Sequence, residues 1–381
     1  MKLFKISIHA LAAAAVMCMA SACADDPETP GGEDEKTDDT EGVVDGIVGF
    51  YVLNEGNMGA NKCTLDYYDY ATATYRRNIY AENNPDQVLE LGDTGNDIAV
   101  YNGRLYLVVN GSHKVEVLDA ATAKRIGQVD ISSPRYIAFE GNNAYVSSFV
   151  GGDGENGSVV RFDLSTLKVT GKVSVGLQPE ELVIDGDRLY VANSGQLSPE
   201  YDKTISVVDF KNMTKTGSID VEVNMHHLRI DSYGHMWVTS RGNYGDIPAN
   251  LYRLDRDKDG LFGSPVAVDR VVTSLTIAGN YIYYYGTEYA ADWSTTTSYG
   301  KLGPIADGGF AFDGNFITDG TEADITAPYA LAVHPGNNDI LITDAKNYVS
   351  SGEIYCYSAE GKLKWHATTG DIPGHIAFVK K

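Results

Sequence analysis

From about residue 46 to its end the chain is a succession of short apolar or alternating runs, each closed by Gly, Asn or Asp. Such runs predict strands joined by tight turns, and no long helical segment interrupts them. The runs also repeat. Residues 98–100, 106–108, 115–119 and 125–131 give four strands in succession, an antiparallel meander. First-strand anchors recur at Ile98, Ile137, Leu182, Leu228, Leu275, Leu331 and Ile376, in steps of 39, 45, 46, 47, 56 and 45 residues. An aromatic stands eight residues after four of them, at Tyr106, Tyr145, Tyr190 and Tyr283. The third strand is expected to end at Asp69, Asp119, Asp163, Asp209, Asp255 and Asp313, with Ser358 in the last unit. An Asp there caps the next turn through backbone N–H groups.

Regular repeats of this length imply stacked sheets rather than one growing core. Six complete units run from Ile98 to about residue 370. Ahead of them, 50–54, 64–69 and 75–80 supply three strands of a unit that lacks its first, and 373–379 supplies a lone first strand at the C-terminus. The two fragments complement one another, and pairing them removes an exposed edge. The expected fold is therefore all-β: a seven-bladed β-propeller of four-stranded antiparallel blades, its ring closed by the C-terminal strand completing the N-terminal blade. Such a ring explains how a chain of 381 residues stays one domain over 46–381 although single cores usually split beyond about 300 residues.

The first 45 residues have a different character. Lys2 and Lys5 precede an apolar stretch from Ile6 to Met19, too short for a mature membrane span, and Ala20, Ser21 and Ala22 lead to Cys23. This has the form of a bacterial lipoprotein signal over 1–22, with Cys23 as the lipid-attachment residue. Residues 23–45 then read as a lipidated, acidic, disordered tether, because they hold too little apolar surface to offset the entropy of ordering. At that length it spans roughly 25 Å. The expected location is the outer membrane, held by the lipid anchor alone and facing the cell surface.

Charge narrows the function. The chain carries 52 acidic and 30 basic side chains, a net charge of −22. Ten acids and three bases lie in the first 45 residues, leaving −15 on the repeat region. Binding to nucleic acid by counterion release needs the opposite balance, so no nucleic-acid partner is expected.

The phrases Leu189-Tyr190-Val191-Ala192-Asn193 and Ile205-Ser206-Val207-Val208-Asp209 resemble those of the YncE-like propellers, over about residues 46–381. The opening Phe50-Tyr51-Val52-Leu53-Asn54-Glu55-Gly56, with the lipid signal and acidic tether, is most similar to the BtuG-type surface lipoproteins. That resemblance implies a non-catalytic protein that captures vitamin B12 and related corrinoids as ligand, not as cofactor, and delivers them to a TonB-dependent outer-membrane transporter.

The residues themselves place a site. Connections between second and third strands are long, at 54–61, 149–156, 193–203, 241–250, 286–308 and 344–353, and all fall on one face. Functional groups gather on loops held by a rigid scaffold, so that face is the expected binding face. Its loops carry aromatics and amides suited to a bulky, neutral, hydrogen-bonding ligand. Tyr244, Trp293 and Tyr348 are candidate contacts from these loops. The pairs preceding each anchor should ring the axial mouth, adding Asn96, Arg135, Tyr136, Glu180, His226, His227, Tyr329 and His375. Tyr106, Tyr145, Tyr190 and Trp237, inside second strands, read instead as core between blades.

Other chemistry is sparse. Asp255, Asp257 and Asp259 have the spacing of a calcium loop, the one metal candidate, but position twelve is Val266 rather than a bidentate Glu. The segment therefore reads as an elaborated hairpin turn. Cys63 and Cys356 sit about 13 Å apart in height on adjacent blades, beyond the roughly 7 Å that a disulfide tolerates, so both should be free, buried thiols. No nucleophile elbow, HExxH or Walker loop is present. Two alternatives stay open: a surface-layer or interaction scaffold for a protein or glycan, and a propeller-type hydrolase or lyase built on Glu180, Glu181, His226 and His227.

Overall fold

The structure is a computed structural model that describes residues 35–37, 42–87, 91–149, 156–290, 292, 294–307 and 310–381. The expected signal peptide, Cys23 and most of the tether lie outside the described residues. The alternating runs form seven antiparallel sheets arranged as a seven-bladed propeller. In the first blade, Pro373–Lys380 pairs with Ile47–Asn54, with Ile376 opposite Val52, and Ile47–Asn54 pairs in turn with Thr64–Asp69. The last strand of the chain thus becomes the inner strand of the first blade, as the two fragments required. Blades two to five start at Gly95, Pro134, Pro179 and Met225, and the seventh at Pro328, each with four strands.

Apolar side chains from facing sheets fill a separate layer between each pair of neighbouring blades. Tyr106, Tyr145, Tyr190 and Trp237 are all buried in these layers. Cys63 and Cys356 are buried and not joined in a disulfide, in the layers on opposite sides of the first blade. The turn-capping Asp is also present: Asp119, Asp163 and Asp209 each accept hydrogen bonds from backbone N–H groups two and three residues on. Local turn chemistry and long-range packing therefore enforce the same register.

Three details differ from the sequence expectation. Among the described residues the sixth sheet has three strands, Ser274–Ala278, Tyr281–Tyr289 and Thr295–Leu302. The Tyr- and Thr-rich run extends as a long hairpin through what reads as a loop at 286–308, so the third strand ends at Leu302 and not at Asp313. Gly303 and Pro304 follow, and Pro has no N–H for a ladder; among the described residues the sheet continues as an isolated bridge from Leu302 to Phe312, flanked by backbone hydrogen bonds from Lys301 to Gly314 and from Gly303 to Ala311. In the fifth blade Asp257, not Asp255, caps the turn, accepting from the N–H groups of Asp259 and Leu261. Finally, Glu35–Lys36, within the expected tether, forms a two-residue strand on the outer edge of the first blade. Thr37 continues that contact, its N–H donating to the Ala73 carbonyl at 2.9 Å.

Candidate functional site

The inner strand of nearly every blade breaks register at its first turn of pairing. Pro179 pairs with Asn193 but Leu182 with Val191; Met225 pairs with Ser240 but Leu228 with Val238; Pro328 pairs with Asp344 but Leu331 with Ile342. Each shift is a β-bulge, which releases two residues from the ladder and re-aims their side chains. The released pairs are the ones that precede the anchors, among them Glu180-Glu181, His226-His227 and Tyr329-Ala330. Hydroxyls on the second strand accept the freed backbone N–H groups: Ser147 from Tyr136 at 3.0 Å, Thr239 from His227 at 2.9 Å, Thr343 from Ala330 at 2.8 Å. Carboxylates from the previous blade complete the set, with Asp97 accepting from the N–H of Ile137 and Glu181 from that of Leu228, both at 2.9 Å.

These bulges surround an axial cavity of about 710 Å³. Of the sequence candidates, Asn96, Arg135, Tyr136, His226, His227, Tyr329, Tyr348 and His375 line it together. Glu180 does not. It lies fully buried behind the wall as the partner of Arg135, whose Nε and Nη2 donate to one of its oxygens at 3.0 and 2.9 Å. Tyr244 lines an adjoining groove of about 490 Å³ between the loops of blades five and six, together with Tyr289, Ile247, Pro248, Val271 and Val272. Trp293 lies outside the described residues. Arg241, Thr273, Thr287 and Tyr289 line both spaces, so cavity and groove adjoin along one wall. Met58, Tyr244, Tyr289 and Tyr348 leave large apolar surfaces exposed near these openings.

Sequence reasoning did not select Glu55, Arg229, Arg241 and Tyr285, which also line the cavity. None stands in the two positions before an anchor. Arg229 follows one, Glu55 and Arg241 follow second strands, and Tyr285 lies within one.

The cavity is lined by polar and titratable groups. Tyr136 Oη and His226 Nε2 share a hydrogen bond of 2.7 Å, and the rings of His226 and His227 lie 3.9 Å apart. Burial, reinforced by Arg241 for His226 and His227, drives all three imidazoles down: His226 well below its usual range, His227 and His375 to about 3. They are neutral at physiological pH. The carboxyls go the other way. Burial raises Glu55 to about 7 against the pull of Arg135 and of Tyr329, whose hydroxyl donates to it at 3.1 Å. Burial likewise raises Asp97 to about 7, opposed by its two backbone hydrogen bonds.

The calcium candidate does not assemble. Asp255 pairs with Arg253, Asp257 caps its own turn, and Asp259 pairs with Lys258. Among the described residues no three His, Cys, Asp or Glu side chains converge in a way that suits a metal ion.

A family model described as a domain of unknown function, DUF5074, matches residues 48–371. No curated protein matches the chain. Among solved structures, a quinonprotein alcohol dehydrogenase-like protein from Bacteroides thetaiotaomicron is similar at 16% identity and a TM-score of 0.60, over 87% of this chain and 78% of that one. Hydrazine synthase of Kuenenia stuttgartiensis is similar at 17% identity and a TM-score of 0.58, over 74% and 89%. Apo AztD from Citrobacter koseri is similar at 12% identity and a TM-score of 0.50, over 87% and 97%. At these identities the likeness is one of fold.

Proposed function

The chain belongs to the DUF5074 family, and we propose that this member is a non-catalytic binding protein that captures a bulky small molecule on its long-loop face. The observation that carries the reading is the continuity of the axial cavity with the groove beside it, rimmed by Tyr244, Tyr289, Tyr348 and Met58. Rigid aromatics around a small set of fixed polar groups suit a large ligand with many hydrogen-bonding edges. Corrinoids have that character, a flat macrocycle fringed with amides, and they are the class implied by the resemblance to BtuG-type proteins. In this reading the chain is a lipoprotein anchored through Cys23 at the outer membrane, and its partner is a TonB-dependent transporter.

Cyanocobalamin absorbs visible light, which makes the test direct. Protein from residue 46 onward, mixed with cyanocobalamin at micromolar concentration and gel-filtered, should carry the colour in the protein peak. Colourless protein fractions would remove corrinoids as the ligand.

One observation favours a second reading, a lyase. The neutral His226 hydrogen-bonded to Tyr136 inside the cavity is an arrangement able to move a proton. That reading expects turnover of a uronide panel and its loss in Tyr136→Phe and His226→Ala; no turnover by the wild type discards it.

A further inference from the structure

We propose that Arg241, on the wall shared by the axial cavity and the groove, anchors one oxyanion of the bound molecule, a phosphate or carboxylate whose attached ring lies between Tyr244 and Tyr289. The proposal deepens the binding-protein reading and rests on the long-loop face being the binding face.

The argument is one of unbalanced charge. Among the described residues the other cations of the mouth each have an acid of their own. Arg135 holds Glu180 through two hydrogen bonds, Arg229 pairs with Glu181, and Lys346 meets Glu353 at 3.1 Å. Arg241 has only a share of Glu180, at 3.6 Å, and a hydrogen bond of 3.2 Å to the amide oxygen of Gln196. Two guanidiniums thus rest on one carboxylate. Glu180 cannot serve both fully, because Arg135 engages its Oε2 and Gln196 donates to its Oε1 at 3.0 Å.

The other carboxyls of the cavity, Glu55 and Asp97, are pushed up to about 7 by burial, so each carries only part of a charge near neutral pH, and the cations acting on them are Arg135 and Arg229 rather than Arg241. His226 and His227, the titratable rings close to Arg241, are held neutral. The hydroxyls of Tyr136 and Tyr289 stay protonated, since burial pushes both up. Glu288, the carboxylate on the groove lining, is exposed to water. A guanidinium presents N–H donors in a rigid fork that matches two oxygens of a phosphate or carboxylate. Ile247, Pro248 and Val272 line the same groove as Arg241, so a molecule gripped there has apolar surface within the groove to pack its remainder against. The strongly acidic chain otherwise repels anions, which makes a local cation surplus a selective feature.

Phenyl phosphate, benzoate and the uncharged control phenol test the assignment by calorimetry on the wild type, Arg241→Gln and Arg241→Lys. Either anion should bind the wild type, at least tenfold more weakly to the Gln variant and within about threefold of wild type to the Lys variant, with phenol showing no such dependence. The anion that binds more tightly tells phosphate from carboxylate. A wild type that binds neither anion, or a Gln variant that binds them as tightly, overturns the proposal. If Arg241→Gln unfolds, Tyr244→Ala with Tyr289→Ala replaces it, and unchanged phenyl phosphate binding overturns the placement of the ring. Retained anion binding together with failure to capture cyanocobalamin removes the corrinoid reading and leaves this site standing.

Discussion

Tyr136 of the third blade and His226 of the fifth meet across the axis in a hydrogen bond of 2.7 Å. The contact passes over the fourth blade altogether, which the bulges at 135–136 and 226–227 make possible. Tyr136→Phe should cost about 1 kcal/mol of stability, the usual worth of one such bond. A double-mutant cycle with His226→Phe, read from urea midpoints, should show a coupling of similar size; zero coupling would show that the two side chains do not act together.

Burial of Glu55 predicts a stability that falls as pH rises. Its folded value of about 7 lies above the ordinary 4.5, so between those values the folded protein holds a proton that the unfolded chain has released. The stabilisation is complete below about 4.5 and is lost as pH climbs through 7, in all about 3 kcal/mol. Glu55→Gln abolishes this loss while keeping an acceptor for Tyr329. The stability of the variant relative to wild type should therefore rise by about that amount between pH 4.5 and pH 8, measured by urea unfolding at both. A difference independent of pH would mean that the carboxyl ionises normally.

Arg135 is the counter-ion that allows Glu180 to be buried. Arg135→Met should cost about 3 kcal/mol, because a carboxylate stripped of its partner is not resolvated in the wall. Glu180→Gln in the Met background should recover part of the loss, since the double variant no longer buries a carboxylate whose main partner is gone, Arg241 at 3.6 Å being only a weak substitute. Melting of the two single variants and the double variant decides it: a double variant no more stable than Arg135→Met contradicts the pairing.

Thr239 and Thr343 each accept a backbone N–H that a bulge has released. Thr239→Val keeps the shape and strands the N–H of His227, at a cost of about 1 to 3 kcal/mol. Hydrogen exchange at His227 should accelerate in the variant; unchanged exchange would show that the hydroxyl does not hold the bulge.

These features mark the boundary of what the sequence makes legible. Blade number, ring closure, the buried second-strand aromatics and the separation of the two buried cysteines follow from periodicity, because a sheet cannot lose register without exposing its apolar face. The axial pairs were also visible, as polar residues at fixed offsets from Ile98, Leu228 and the other anchors. What escaped are features set by three dimensions. The hairpin of the sixth blade runs on because Tyr281–Tyr289 finds a partner in Thr295–Leu302, and spacing alone does not distinguish that from a loop. Glu180 shares its repeat position with His226 yet turns into the wall, since Arg135 from the neighbouring blade is there to meet it. Arg229 stands where most of the other blades carry Ala or Val (Ala99, Ala138, Val183, Ala332, Ala377), and Arg241 at a loop position of mixed character, so the repeat pattern did not single them out.

Because the inner strand of the first blade is supplied by Pro373–Lys380, far along the chain from the Ile47–Asn54 strand it pairs with, the ring is open until that segment is made. Ile47–Asn54, among the earliest strands made, waits with one flank unpaired until Pro373–Lys380 is delivered. The axial mouth, whose wall includes both Glu55 and His375, is consequently incomplete until the two segments have met, and a chain stopped short of residue 373 has no vestibule to offer a ligand.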